Sequence, residues 1–131
     1  QARRYRTMVA LGRSMAAGPA ASATMPGGNI RVDELALYYV IIAENQLKQH
    51  DAVLRDGEAF LRRFPTSMYF TGAKTTMDFV IREKHVAALS PLGPEVMEFY
   101  RVVCDRTIPL GMQRGAIDAD AAARLREILG R

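Results

Sequence analysis

Apolar positions along this chain recur mostly at intervals of three and four, and that spacing predicts helices almost throughout. Residues 2–17 carry Tyr5, Met8, Val9, Gly12 and Met15 at helical spacing, with Arg in the gaps. A second helix is expected from Arg31 or Asp33 to Lys48, capped by Asn29 or Asp33. Leu35, Ala36, Tyr39, Val40, Ala43 and Leu47 would form its broad core face, with Tyr38, Ile41, Asn45 and Lys48 opposite. A helix apolar on nearly all sides is usually held between neighbours. The run Tyr38–Ile42 also has β propensity, but no second run of that kind exists to pair with it.

A tight turn at Lys48-Gln49-His50 leads to a third helix capped by Asp51, with Val53, Gly57, Phe60, Leu61 and Phe64 inside. Pro65 stops that helix, because proline forces the preceding residue out of the α region. Thr66 or Ser67 should cap a fourth helix with Phe70, Ala73, Met77, Val80 and Ile81 as its stripe. Small Gly57 and Ala73 allow close helix approach. After a break at Ser90–Pro94, a fifth helix is expected to about Arg106 with Val96, Phe99, Tyr100 and Val103 inside. Ile108–Ala116 reads as a connector because it contains Pro109, Gly111 and Gly115. Asp118 should cap the last helix, whose inner face is Ala122, Leu125, Ile128 and Leu129, with Gly130 as its C-terminal cap.

These elements divide the chain into a basic amphipathic helix (1–17), a flexible linker rich in Gly and Pro (18–29) and a helical domain (30–131). Loops as short as those between residues 48 and 67 make neighbouring helices antiparallel. The fold class is therefore all-α, built from antiparallel helical hairpins.

The stretch from Asp33 to Lys84 resembles a tetratricopeptide-type repeat, and more narrowly the repeats of bacterial outer-membrane assembly lipoproteins and related periplasmic coordinator proteins. The residues that carry the resemblance are Tyr38-Tyr39, the turn before Asp51, and then Phe60, Phe64-Pro65, Ser67, Tyr69 and Ala73. In such repeats an aromatic and a proline close the second helix, and a serine, an aromatic and a small residue open the next. The turn here has Gln49 near the usual glycine, and Val53 stands where alanine is usual. No lipoprotein cysteine stands near the N-terminus. The resemblance implies a right-handed helical array with extra C-terminal helices. It also implies a non-catalytic scaffold binding another protein or peptide in envelope or outer-membrane protein assembly, in the periplasm or at the outer-membrane periphery. Repeats of about 34 residues normally come in threes or more. The little more than one repeat here fits a segment of a longer array, or one closed off by the non-repeat helices. The opening Gln1, in place of Met, fits a processed or excised chain.

Charge changes this picture at one end only. Residues 1–31 carry five arginines and no acid, a net +5, whereas residues 32–131 carry 13 basic and 14 acidic side chains. The arginine-rich helix has three readings: a helix packed on the domain, an arm for phosphates of nucleic acid or a membrane surface, or a residual export signal ending at Ala21-Ser22-Ala23. Packing is preferred. A small nucleic-acid-binding or regulatory domain using this arm is the alternative function, disfavoured by the acidic balance of residues 32–131. The longest apolar run, Leu35–Ala43, has nine residues, against about 20 for a membrane-spanning helix.

No residue pattern points to catalysis, a cofactor or a metal. His50, His85 and Cys104 stand apart in sequence, and no metal-ligand spacing or phosphate-binding glycine loop occurs. Cys104 is expected to be a buried, inert thiol. The candidate protein-binding residues are Tyr38, Ile41, Asn45 and Lys48, on the side of the second helix away from its expected core face; the N-terminal helix covering that side is the competing expectation.

Overall fold

The structure, a computed structural model, describes all 131 residues. It is all-α: α1 (Ala2–Ala17), α2 (Val32–Gln46), α3 (His50–Arg63), α4 (Phe70–Leu89), α5 (Pro94–Gln113) and α6 (Ala119–Ile128), with one 3-10 turn at Ser90–Leu92. The chain forms two compact units, Gln1–Met77 and Asp78–Arg131.

In the first unit α2 is the central element. It packs against α1 on one side and α3 on another, which is why it is apolar nearly all round. Ala36, Val40, Ile41 and Ala43 are all buried. Contact with α1 is close because Gly12 has no side chain: a Cβ there would lie 2.5 Å from Val40 Cγ2 and 3.1 Å from the Ala36 carbonyl oxygen. On α3, Val53, Gly57, Phe60 and Phe64 are buried as their spacing predicts. A Cβ on Gly57 would meet Met77 Sδ at 2.5 Å, so the small residue does serve a close approach.

Residues 18–29, read as a flexible linker, are tied to the start of α2 by backbone hydrogen bonds. Val32 N–H donates to the Ala23 carbonyl (2.9 Å), Asp33 N–H to Ala21 (2.8 Å) and Met25 N–H to Ile30 (2.7 Å). Thr24 and Arg31 form an isolated antiparallel bridge. The cap of α2 is Arg31, not Asn29 or Asp33; its N–H donates to Glu34 Oε1 at 3.3 Å. Lys48 adopts the left-handed conformation (φ 59°) in the turn to α3, and Gln49, not Asp51, is the N-cap. Neither Thr66 nor Ser67 caps α4, which starts at Phe70; Ser67 Oγ instead accepts from Tyr69 N–H at 3.0 Å in the turn ahead of the helix.

In the second unit α6 packs on α5 around Cys104, Ile108, Ala122, Leu125 and Leu129. Asp118 caps α6 by accepting from Ala121 N–H at 2.8 Å, and Gly130 takes the positive φ (76°) expected of a C-terminal glycine. Two expectations for α5 fail. The helix continues to Gln113 through Pro109, because buried Ile108 holds that turn in the core and the Gly111 carbonyl receives Ala116 and Ile117 N–H groups. The buried face is Met97, Cys104 and Ile108, while Val96, Phe99 and Val103 are exposed; of the four residues expected inside, only Tyr100 is partly buried. The helix has two apolar faces, and spacing alone could not say which one α6 covers.

Candidate protein-binding site

The aromatic residues of α2, α3 and the approach to α4 meet in one seam. Tyr38 stacks on Tyr69, ring centroids 4.4 Å apart and nearly parallel at 11°. Tyr39 meets Tyr38 edge-on at 5.5 Å, Phe60 lies 6.1 Å from Tyr38, and Phe64 lies 5.1 Å from Phe60. Such offset and edge arrangements add to plain burial. Gly72 leaves room for the Tyr38 hydroxyl, which a Cβ would touch at 2.5 Å. Burial, with Tyr39 and Tyr69 adding, pushes the Tyr38 hydroxyl pKa up.

Beside this seam a charged clasp locks α2 to α3. The Asp33 carboxylate is wholly buried. It receives Arg31 Nε at 3.0 Å and Nη2 at 2.8 Å, together with a short contact from Arg63 Nη2. Its Oδ1 also accepts from Glu34 N–H at 2.8 Å. Glu34, almost buried, takes a short hydrogen bond from the Ser67 hydroxyl, so the turn after Pro65 is fastened to the first turn of α2. Both arginines remain about half exposed, and the Arg63 guanidinium lies 5.0 Å from the centre of the Phe64 ring.

The clasp forms one wall of a cleft of about 670 Å³ within the first unit. Ile30, Phe64, Pro65 and Met68 supply apolar lining, and Arg31, Glu34, Arg63 and Ser67 supply polar groups. Met68 is 71% exposed. A cleft with apolar walls and a few convergent polar groups suits a ligand held partly by burial and partly by hydrogen bonds.

The four residues proposed from the sequence do not form one surface. Tyr38 is half-buried in the seam. Ile41 is fully buried, which corrects its assignment to an open face: α2 is enclosed by α1 and α3, so the side opposite one core face is itself core. Asn45 is partly buried with Oδ1 lacking a hydrogen-bond partner, and Lys48 is exposed in the turn. Tyr39, expected inside, is 45% exposed. Sequence reasoning missed Arg31 and Arg63 as cleft residues and read Asp33 as a cap. The one signal pointing here was the Phe64-Pro65-Thr66-Ser67 phrase, which does form the cleft wall.

Comparison with known proteins adds no relative: no family model, no curated protein and no solved structure matches this chain.

A second cluster joins the three helices of the first unit. Arg13 of α1 reaches Glu44 of α2 at 3.1 Å and Asp56 of α3 at 3.4 Å, and Arg55 adds a 3.2 Å contact to Asp56. Glu44 is fully buried, with Oε1 out of reach of any donor. Burial, then the hydrogen bond to Asp56 and its charge, push the Glu44 carboxyl up to about 8. Burial pushes Asp56 up too, but hydrogen bonds from Glu44 and Arg55 outweigh it and hold Asp56 below its ordinary value.

Of the residues weighed for catalysis, Cys104 is buried among Ile108, Ala122, Leu125 and Leu129. The His85 ring is hydrogen-bonded to the Tyr100 hydroxyl at 2.8 Å. No three or more His, Cys, Asp or Glu side chains gather as a metal site, and no helix is long and apolar enough to cross a membrane.

Proposed function

We propose that the first unit is a tetratricopeptide-like protein-binding module without catalytic chemistry of its own, serving assembly at a bacterial envelope. The observation that carries this reading is a coincidence of position. Tyr38, Phe60, Phe64 and Tyr69, four of the residues that resemble the repeat pattern, pack as one seam, and Phe64, Pro65 and Ser67 of the same pattern wall the 670 Å³ cleft. The bound element is a segment of another protein. Its apolar side chain sits against Phe64, Pro65 and Met68, and its acceptors meet the exposed edges of Arg31 and Arg63.

The test is capture of proteins from a bacterial envelope extract at low and high salt by the intact chain and by Met68→Glu. Met68 is exposed, so the variant should melt with the intact chain and report on the cleft alone. Recovery of the same envelope proteins at both salts by the intact chain, and their loss from the variant, supports the proposal. Equal recovery by both proteins removes the cleft as the site. Recovery of nucleic acid alone, at low salt only, overturns the scaffold reading in favour of the arginine-rich helix.

A further inference from the structure

The open face of α5 is an unfilled helix–helix contact. Val96, Phe99, Val103 and Leu110 are all exposed, Phe99 by 73%, and Val102 flanks them. With Arg106 they follow the alternating three- and four-residue spacing of a coiled-coil seam. The opposite side of the same helix is already used, through Met97, Cys104 and Ile108 in the core of the second unit. The seam therefore needs a partner that α6 does not provide.

The charges along it indicate which partner. Glu95 and Arg106 lie on the same edge of the stripe, near its two ends, at a separation on the order of 16 Å for a straight helix. Both are exposed and neither makes an ion pair within the chain. The other charged residues of that stretch lie away from the seam and are internally engaged: Arg101 with Glu98, and Arg131 with both Glu98 and Asp105. A two-fold axis through the middle of α5 keeps the edge on one side and reverses the chain direction. It then sets each Glu95 beside the other copy's Arg106, and each Phe99 against the other copy's Val103. Arg106 lays its aliphatic stem over Val96 and delivers its guanidinium to Glu95. Side-by-side parallel copies would set Glu95 against Glu95 and Arg106 against Arg106.

We propose that α5 is a self-association surface on which a second copy of this chain docks antiparallel through Val96, Phe99 and Val103, with two reciprocal Glu95–Arg106 pairs fixing the register. A symmetric contact of this kind uses the same patch twice. It is short, so the association is weak and concentration-dependent.

Sedimentation velocity of the purified full chain over a wide concentration range tests this. The intact chain should shift from monomer to dimer as concentration rises. Phe99→Glu should raise the dissociation constant about tenfold or more, as expected when a central aromatic anchor is lost. Glu95→Arg alone and Arg106→Glu alone should each weaken the dimer, and mixing the two single variants should restore it, since each supplies the other's missing charge. Melting curves matching the intact chain exclude misfolding. A chain that stays monomeric throughout overturns the proposal, as does a dimer indifferent to Phe99→Glu. A dimer weakened by Phe99→Glu but not rescued in the mixture overturns the antiparallel register.

Discussion

At the residue scale the clearest consequence lies with Glu44. Its carboxyl is raised from 4.5 to about 8 by burial and by Asp56, so between those values the folded chain holds a proton that the unfolded chain has released. The stabilisation from that proton is complete below pH 4.5 and is lost as pH rises toward 8. The urea midpoint should fall as pH rises from 5 to 8, and Glu44→Gln, which cannot ionise, should flatten that fall. An unchanged slope in the variant would mean the proton is held elsewhere. Gly12 supports a second expectation. A methyl there meets β-branched Val40 and the backbone of Ala36, neither of which can retreat freely. Gly12→Ala should cost about 1–2 kcal/mol, overpacking outweighing the better helix propensity. Gly57→Ala meets only the flexible Met77 side chain and should be close to neutral. Chemical denaturation of the two variants side by side checks the contrast.

At the scale of elements, α2 and α3 are joined by packing and by the buried Asp33 clasp. Removing the carboxylate leaves Arg31 and Arg63 half in water, so they can be solvated, which limits the loss. Asp33→Ala should destabilise by about 2–3 kcal/mol, the scale of losing charge-assisted hydrogen bonds. Asp33→Asn should fall between the two. Phe60, buried in the aromatic seam, should cost about 3–5 kcal/mol on truncation to alanine. Denaturant midpoints for the three variants give the ranking. Only the α3 half of the seam, Phe60 and Phe64, was legible in the sequence, at helical spacing beside a proline stop; Tyr38 was expected on the side of α2 away from the core, and its stacking on Tyr69 was not foreseen. The clasp was not legible either: Asp33 and Arg63 are thirty residues apart, and an aspartate near a helix start reads first as a cap.

At the scale of the molecule, the basic excess shrinks once the structure assigns its arginines. Arg13 is paired with Asp56 and Arg31 with Asp33, leaving Arg3, Arg4 and Arg6 exposed at the start of α1. Any binding of duplex DNA should therefore be weak, with a log–log salt slope no steeper than about −3. Replacing those three arginines by alanine should abolish it without changing the melting temperature. A steeper slope would require a basic surface beyond α1.

The sequence by itself determined what local chemistry controls. An all-helical chain, the stop at Pro65, the cap at Asp118 and the buried stripes of α3 and α6 follow from it, because period, proline and capping act within a few residues. Tertiary structure decided which apolar side of a two-sided helix is covered. Ile41 went inside and Phe99 outside for the same reason: both helices carry more apolar surface than one neighbour can bury, and only the placement of α1, α3 and α6 chooses among the faces. It also decided that α5 runs through Pro109, where packing of Ile108 outweighs the lost backbone hydrogen bond.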